Sequence, residues 1–219
     1  MLIERPPGIF RATVPGALFR EEEPGSKKIY LTFDDGPIPE VTPWVLDLLD
    51  RYHVKATFFM VGDNVRKYPD LYEEVISRGH HVGNHTMHHI KGIGCRTLNY
   101  LRDVEEAGVY ISSRLFRPPH GWLRPMQTFR LNKKYRIVMF DVVTRDYSKR
   151  LTPRQVVNNV QQYTRPGSVI VFHDSLKSWP RLETALPESL EWLISEGYEF
   201  GLIWEKKKEE FSLSEPAAL

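Results

Sequence analysis

The chain has 219 residues, a length for which a single domain is the natural expectation. Its 30 Lys and Arg nearly balance its 28 Asp and Glu, which argues against a dedicated nucleic-acid-binding protein, and its 41% hydrophobic content argues against disorder. The one cysteine, Cys95, excludes an intrachain disulfide and a multi-cysteine metal site.

From residue 28 onward, short β-rich runs alternate with amphipathic stretches of helical spacing. Strands are predicted at Ile29–Phe33, Ala56–Met60, His81–Asn84, Ile137–Phe140, Ser168–Phe172 and Tyr198–Leu202. Helices are predicted at Val41–Tyr52, Pro69–Arg78, Thr97–Ser113, Pro125–Lys134, Pro153–Thr164 and Pro180–Ser195. Strands that alternate with helices favour parallel pairing through right-handed crossovers. At this length the pattern predicts an α/β fold, a distorted (β/α) barrel of seven or eight units.

We expect one catalytic domain at residues 28–204, with an N-terminal extension at 1–27 and a solvated tail at 205–219. No apolar run reaches signal-peptide length or the roughly 18 residues of a membrane span. The sequence as it stands therefore predicts no membrane span and a cytoplasmic location. A periplasmic or cell-surface location is the expectation if a leader has been removed.

Two adjacent carboxylates, Asp34 and Asp35, end the first predicted strand. Side chains alternate along a strand, so we expect them to point to opposite sides and to do different work, one binding a metal and the other acting as a base. An ordinary Asp-Gly-Pro turn explains the same residues equally well.

The segment after the third predicted strand is rich in histidine. His85 and His89 are four residues apart, and one helical turn would place them on one face, a spacing that metal sites use. His88 would then point elsewhere, either as a surface residue or as one that supports the site from behind, while His80 and His81 are most simply packing or surface residues. For the pair, the metal interpretation is favoured.

Three further strand exits carry polar residues that could take part in chemistry. Arg117 lies in a loop stiffened by two prolines and a glycine, where it could orient a carboxylate; Asp146 and His173 follow later strands. A histidine at a strand end is a suitable acid or base near neutral pH. The alternatives are a structural turn at Arg117, a plain loop at Asp146 and a capping turn at His173.

These segments, in this order, resemble the motifs of the polysaccharide deacetylase family, also called carbohydrate esterase family 4 or the NodB-homology domain. The matching runs are Thr32-Phe-Asp-Asp-Gly-Pro37, His85-Thr-x-x-His89, Arg117-Pro-Pro-x-Gly121 and His173-Asp174. The resemblance covers about residues 28–204. It implies a distorted (β/α) barrel that removes N- or O-acetyl groups from sugars with the help of a divalent ion.

The resemblance implies a role for each matching residue. Asp35, His85 and His89 correspond to the metal ligands. Asp34 corresponds to the catalytic base, and Arg117 to the residue that holds this base in place. One divalent ion is expected, with zinc as the first choice and cobalt or nickel as alternatives.

The later motifs supply the acid and the substrate pocket. His173 resembles the family's general acid and Asp146 the partner that orients it, while the backbone N–H near His120 would help to bind the oxyanion. The predicted pocket residues are His120, Tyr147, Val171, Trp122 and Trp179. For the two tryptophans, core packing is an equally good interpretation.

Five positions depart from the family's usual residues: Ile90 replaces a common proline, Val143 an acid, Tyr147 a tryptophan, His120 a tyrosine and Val171 a leucine. None of them removes a predicted metal ligand, base or acid. They affect the expected acetyl pocket and sugar preference.

The sequence therefore predicts a metal-dependent hydrolase that removes acetyl groups, N-acetyl rather than O-acetyl, from a sugar polymer or oligosaccharide. Its expected partner is an acetylated carbohydrate, with no nucleic acid, and no feature indicates an oligomeric state. Three alternatives stay open: a barrel glycosidase, a binding module of the same fold that has lost turnover, and a deacylase of a small non-sugar amide.

Overall fold

The computed structural model describes residues 4–204, so the predicted tail at 205–219 lies outside the described residues. The strands are β1 Lys28–Asp34, β2 Thr57–Met60, β3 His81–Asn84, β4 Leu115–Phe116, β5 Arg136–Ile137, β6 Val142–Val143, β7 Val169–His173 and β8 Glu199–Phe200. The helices are α1 Gly8–Ala12, α2 Thr42–Arg51, α3 Gly62–Lys67, α4 Pro69–Ser77, α5 Thr97–Tyr110, α6 Pro125–Leu131, α7 Pro153–Tyr163 and α8 Trp179–Ser195. None of these helices is long and apolar enough to cross a membrane.

One parallel sheet organises the molecule, in the order β5-β4-β3-β2-β1-β7-β6, and β8 pairs with the start of β1. Helices cover the outside of the curled sheet, as the alternating pattern predicts. The predicted fold class, a distorted (β/α) barrel forming a single domain, is confirmed.

Strand β1 is the centre of the sheet, and its alternating side chains build two layers of core. Ile29, Leu31 and Phe33 join the large core formed with the covering helices, and Phe33 stacks on Phe58 of β2 at 4.9 Å between ring centroids. Tyr30, on the opposite face, belongs to a smaller cluster inside the curled sheet. Burial on both faces explains why this strand is nearly continuously apolar.

The register of the sheet brings polar strand ends to one edge. Asp34 at the end of β1 lies beside His173 of β7, and Asn84 ends β3 beside Met60 of β2. The loops that follow these parallel strands therefore meet at a single face of the barrel, the usual location of the active site in such folds.

The sheet is not closed between β5 and β6, and the N-terminal segment fills this gap. Leu18 pairs with Val138 in a parallel bridge, and Arg20 pairs with Ser168 in an antiparallel bridge. Further along, the backbone N–H of Val143 donates to the carbonyl of Glu4 at 2.7 Å. Part of the predicted extension at 1–27 thus packs directly against the barrel.

Most predicted elements match the structure to within a few residues, and the main differences are short elements. The strand predicted at Ile137–Phe140 ends at Ile137, because the chain then turns to pair with the N-terminal segment. Strands β4 and β6 have only two residues each, too few for a periodic signal, and helix α3 has six.

Candidate metal centre and acid–base pair

A cavity of about 190 Å³ opens at the carboxyl edge of the strands. Eight of the twelve predicted site residues line it: Asp34, Asp35, His85, His89, His120, Tyr147, Val171 and His173. Arg117 and Asp146 lie behind this surface and bond to residues that line it. The structure therefore brings together side chains from the ends of β1, β3, β4, β6 and β7.

Asp34 and Asp35 both face the cavity, so the prediction that they point to opposite sides is wrong. Alternation holds only while the chain stays extended, and Asp35 has left the strand with a φ of 84°. The amide of Asn64 donates to the carbonyl oxygen of Asp35 at 2.8 Å and holds this turn.

The segment from His85 to His89 is a loop rather than the helical turn that its spacing suggests. Positive φ angles at Thr86 (67°) and His89 (52°) fold the chain back and bring the two rings to 5.1 Å between centroids. The N–H of Thr86 donates to the side chain of Asn84 at 2.8 Å, which fixes the start of the loop. His88 points outward, as predicted, and bonds to Asp103.

Three side chains converge in a way that suits a divalent cation. The ligand atoms of Asp35, His85 and His89 all lie within 4.8 Å of one another. Oδ1 of Asp35 is 3.9 Å from Nε2 of His85 and 3.2 Å from Nε2 of His89. This oxygen is buried and has no hydrogen-bond partner, an arrangement that costs free energy unless something positive sits beside it. One carboxylate and two imidazoles are a common ligand set of catalytic zinc sites.

The tautomer of His85 is fixed by the backbone. Its Nδ1 lies 2.7 Å from the carbonyl oxygen of Arg117, which can only accept, so Nδ1 carries the proton and Nε2 keeps a free lone pair. Complete burial lowers the pKa of His85 to about 4, which keeps the ring neutral. For Asp35, burial alone would raise the pKa, but His89, His173 and His85 bring it below its ordinary value. The site thus offers a neutral nitrogen donor at His85 and an ionised oxygen donor at Asp35.

Arg117 is fully buried and holds Asp34 directly. Its Nη1 donates to Oδ1 of Asp34 at 2.6 Å and to the hydroxyl of Thr32 at 2.8 Å. Nε and Nη2 donate to the carbonyl oxygens of Val138 and Met139. The other oxygen of Asp34 stays free of Arg117 and lies 4.0 Å from Nε2 of His85.

His173 lines the cavity at the end of β7, beside the strand that carries Asp34, and is paired with Asp146. Its Nδ1 is 2.8 Å from Oδ1 of Asp146, and its backbone N–H donates to the other oxygen of the same carboxylate at 2.7 Å. Burial opposes a charged ring, but the charge and hydrogen bond of Asp146 outweigh it and raise the pKa of His173 to about 9. The ring is therefore protonated at neutral pH, with Nε2–H available for donation.

Apolar side chains form one wall of the cavity. Phe140, Val143 and Val171 line it, and Tyr147 stacks edge-on against His173 at 4.9 Å. The ring of His120, which also lines the cavity, lies 4.9 Å from that of His89.

The two predicted tryptophan platforms lie in core contacts instead. Trp122 packs on Phe10 at 5.1 Å between ring centroids, and Trp179 packs on Trp44 at 5.0 Å. Neither lines the cavity, because each ring is turned toward the hydrophobic core beside its own loop.

Comparison with known proteins places the chain in a family. The sequence model of the polysaccharide deacetylase family matches residues 21–138. A peptidoglycan-N-acetylglucosamine deacetylase from Bacillus cereus is 33% identical over 189 residues, which cover 82% of this chain and 88% of that protein. The chain belongs to the polysaccharide deacetylase family.

Two more relatives of this polysaccharide deacetylase family member support the assignment. A chitooligosaccharide deacetylase from Sinorhizobium fredii is 39% identical over 158 residues, 68% of this chain and 73% of that protein. The crystal structure of the Bc1960 peptidoglycan N-acetylglucosamine deacetylase, in complex with 4-naphthalen-1-yl-N-oxidanyl-benzamide, superposes with a TM-score of 0.79 at 28% identity. The alignment covers 90% of this chain and 95% of that one.

Three residues of this deacetylase-family site were not predicted from sequence. Asp174 is buried, accepts hydrogen bonds from Thr42 (2.6 Å) and from the N–H of Gly36 (3.2 Å), and burial raises its pKa to about 8. Asp103 holds the histidine loop from helix α5, and Lys177 lines the cavity. The position of Asp174 next to His173 could have pointed to a role for it. No sequence pattern marks Asp103, which lies within a helix, or Lys177, which lies in a loop.

Backbone strain is concentrated at the site. Within residues 4–204, five of the six non-glycine residues with positive φ lie in the motif segments: Asp35, Thr86, His89, His120 and Arg145. Such conformations cost about 1 to 3 kcal/mol each and persist where the surrounding structure enforces them. In this family member the motif loops are therefore held in shape by the barrel beneath them.

Proposed function

We propose that this chain is a metal-dependent deacetylase that hydrolyses the acetamido group of an N-acetylated sugar in a polymer or oligosaccharide. The observation that carries the proposal is the buried, unpartnered oxygen of Asp35, which faces Nε2 of His85 and of His89. Relatives named for peptidoglycan N-acetylglucosamine and for chitooligosaccharides support an N-acetyl substrate over an O-acetyl one.

Asp35, His85 and His89 would hold one divalent ion, with zinc as the expected metal. Such an ion, when bound, acts as a Lewis acid that polarises an acetyl carbonyl and lowers the pKa of water toward about 7. The protein's part is to keep His85 neutral by burial, to leave its Nε2 free by bonding Nδ1 to the carbonyl of Arg117, and to keep Asp35 ionised beside the histidines.

Asp34 is proposed as the general base. Arg117 holds one of its oxygens, so the carboxylate is fixed in orientation while Oδ2 is left to accept a proton from the attacking water. A base positioned in this way contributes roughly 10²–10⁴-fold to the rate.

His173 is proposed as the general acid. When the amide C–N bond breaks, the leaving nitrogen must take up a proton, and Nε2–H of His173 supplies it. Asp146 occupies Nδ1 and stabilises the protonated ring, so the proton to be donated is on the nitrogen that does not bond to Asp146.

The apolar wall suits the methyl group of an acetyl substituent. Phe140, Val143 and Val171 offer it a surface without hydrogen-bonding demands. For the developing oxyanion, the N–H of Gly121 is already used by the carbonyl of Pro118 at 3.0 Å, so the N–H of His120 is the proposed donor.

The test is acetate release from N-acetylglucosamine oligomers and from an acetylated xylan, with chelated and metal-restored protein. We expect stoichiometric metal, metal-dependent release from the amide substrate and little from the ester. The Asp34→Asn variant should lose about 10²–10⁴-fold in kcat while it keeps its metal. Asp70→Asn, an exposed position on α4, is the matched control and should behave as the native protein does.

Two results would contradict the proposal. Failure to bind zinc, cobalt or nickel would remove the role of Asp35, His85 and His89. Metal-dependent release that survives Asp34→Asn would remove the role of Asp34 as base.

A further inference from the structure

Lys177 is a charged residue of the cavity that the proposed reaction does not use. It lies in the turn between β7 and α8, where the N–H of Ser178 donates to the carbonyl of Ser175 at 3.0 Å. Arg181 donates to the backbone carbonyl of Lys177, so the main chain at this position is tied down. The ammonium lies 5.3 Å from the centroid of the Tyr147 ring.

The other charged groups that line the cavity already belong to the proposed metal site and acid–base pair. Asp34 is paired with Arg117, Asp35 faces the two metal-site histidines, and His173 is paired with Asp146. No carboxylate within residues 4–204 forms a salt bridge with Lys177. Its side chain is exposed, so the charge stays solvated until a ligand arrives. An unpaired cation at the wall of a binding cavity attracts an anionic group on the ligand.

We propose that Lys177 is a specificity-determining residue that binds a carboxylate on the acetylated sugar, which makes acidic glycans the favoured substrate class. The inference rests on the proposed deacetylase function. Tyr147, which the ammonium overlies, stacks on His173, so the carboxylate would bind on the general-acid side of the cavity. An ammonium with three donors accommodates a carboxylate in several orientations, which suits a substituent on a flexible sugar chain.

The experiment compares two matched probes: the tetramer of N-acetylglucosamine, and the same tetramer oxidised at C6 to carboxylates. For the native protein we expect kcat/KM for the carboxylated tetramer to exceed that for the neutral one by about three- to fivefold, mostly through KM. Lys177→Met should bring this ratio to about 1, and added salt should weaken it in the native protein. Binding of both tetramers to the metal-loaded Asp34→Asn variant, measured by calorimetry, should show the same ratio in Kd.

Lys133→Met is the matched control, because its ammonium also lies over an aromatic ring, that of Phe129 at 4.7 Å, and it does not line the cavity. It should leave the ratio unchanged. A native ratio at or below 1, or a ratio that survives Lys177→Met, would overturn the inference. The neutral tetramer reports separately on the proposed function: its turnover supports deacetylation whatever the ratio is. If neither tetramer is turned over, the Kd ratio still decides the inference.

Discussion

Arg117 shows how much of this site depends on a single side chain. Its guanidinium donates to Asp34, Thr32 and the carbonyls of Val138 and Met139, and it lies 4.0 Å from the centroid of the Phe59 ring. A lysine has neither the fork of donors nor the flat face for these contacts, so Arg117→Lys is not a conservative change here. Arg117 therefore holds the proposed base and also links β1 to the segment that follows β5.

The pairing of His173 with Asp146 predicts a pH dependence. The pKa of His173 is raised from its ordinary 6.5 to about 9, so the proton that it donates is present below that pH and is lost as the pH rises through it. Deacetylation of an amide should therefore fall above about pH 9. In Asp146→Asn the charge is gone while burial remains, and the alkaline limb of kcat should move down by about 1–3 pH units.

An activated acetyl ester is the control substrate for this prediction. Its leaving group needs little protonation, so the His173-dependent limb should be weak or absent there. If the alkaline fall in kcat stays at the same pH in Asp146→Asn, His173 is not the group being titrated. The same conclusion follows if this fall is equally strong for the ester and the amide.

At the scale of elements, the histidine loop owes its shape to helix α5. Oδ1 of Asp103 accepts from the N–H of Met87 at 2.9 Å and from that of His88 at 3.1 Å, and Oδ2 lies 2.7 Å from Nδ1 of His88. A carboxylate on a rigid helix thus holds the middle of a loop whose two ends are His85 and His89. The proposed metal site therefore depends on a loop whose conformation is fixed by hydrogen bonds from a neighbouring helix.

Loss of that support should weaken metal binding. We expect Asp103→Ala to reduce zinc affinity by about 10–100-fold, measured by competition with a chromophoric chelator, because outer groups that orient ligands contribute on this scale. Asp103→Asn, which can still accept from both N–H groups, should lose less. Glu105→Ala, an exposed position on the same helix that pairs with Lys134, should not change the affinity. Equal affinity in Asp103→Ala would mean that the loop holds its shape alone.

Long elements and dense motifs were the parts that the sequence could predict. Strands β1 and β7 and helices α2, α4, α7 and α8 carry clear periodicity or terminal signals, and their predicted bounds lie close to the observed ones. The two-residue strands β4 and β6 owe their existence to neighbours already in place. The direction of Asp35 could not be predicted, because one left-handed residue reverses it. The role of Asp103 could not be predicted, because its hydrogen-bond partners are mainly backbone N–H groups of a loop that is distant in sequence.

At the scale of the whole molecule, Asp141 fastens the N-terminal segment to the barrel. This carboxylate is fully buried and accepts from Nε and Nη2 of Arg165, both at 3.0 Å, from the hydroxyl of Ser168, and from Arg11 of helix α1. Burial would raise the pKa of Asp141, but these donors lower it to about 2. The packing of Phe10 on Trp122 adds an apolar contact beside the cavity loop.

Asp141→Asn should therefore destabilise the fold in a pH-dependent way. We expect a loss of about 2–3 kcal/mol in the free energy of unfolding at neutral pH, at the lower end for a broken buried pair since both arginines are partly exposed. Because the folded pKa is depressed below 3.8, the difference from the native protein should be full above about pH 4 and shrink as the pH falls toward 2. Urea unfolding between pH 7 and pH 3 measures this difference in the free energy of unfolding. Arg154→Ala, which removes a surface ion pair with Glu188, is the control. A difference that does not vary with pH would assign the loss to packing rather than to charge.

The unclosed seam between β5 and β6 has a consequence for self-association. An uncovered strand edge is a template for pairing with another chain, and here Leu18 and Arg20 occupy backbone groups that would otherwise offer such a template. The match to the family begins at residue 21, just past both of them. A protein that starts at residue 21 would keep every proposed catalytic group but would lose the backbone pairing of Leu18 and Arg20. We therefore expect such a protein to aggregate before any change in its chemistry can be detected.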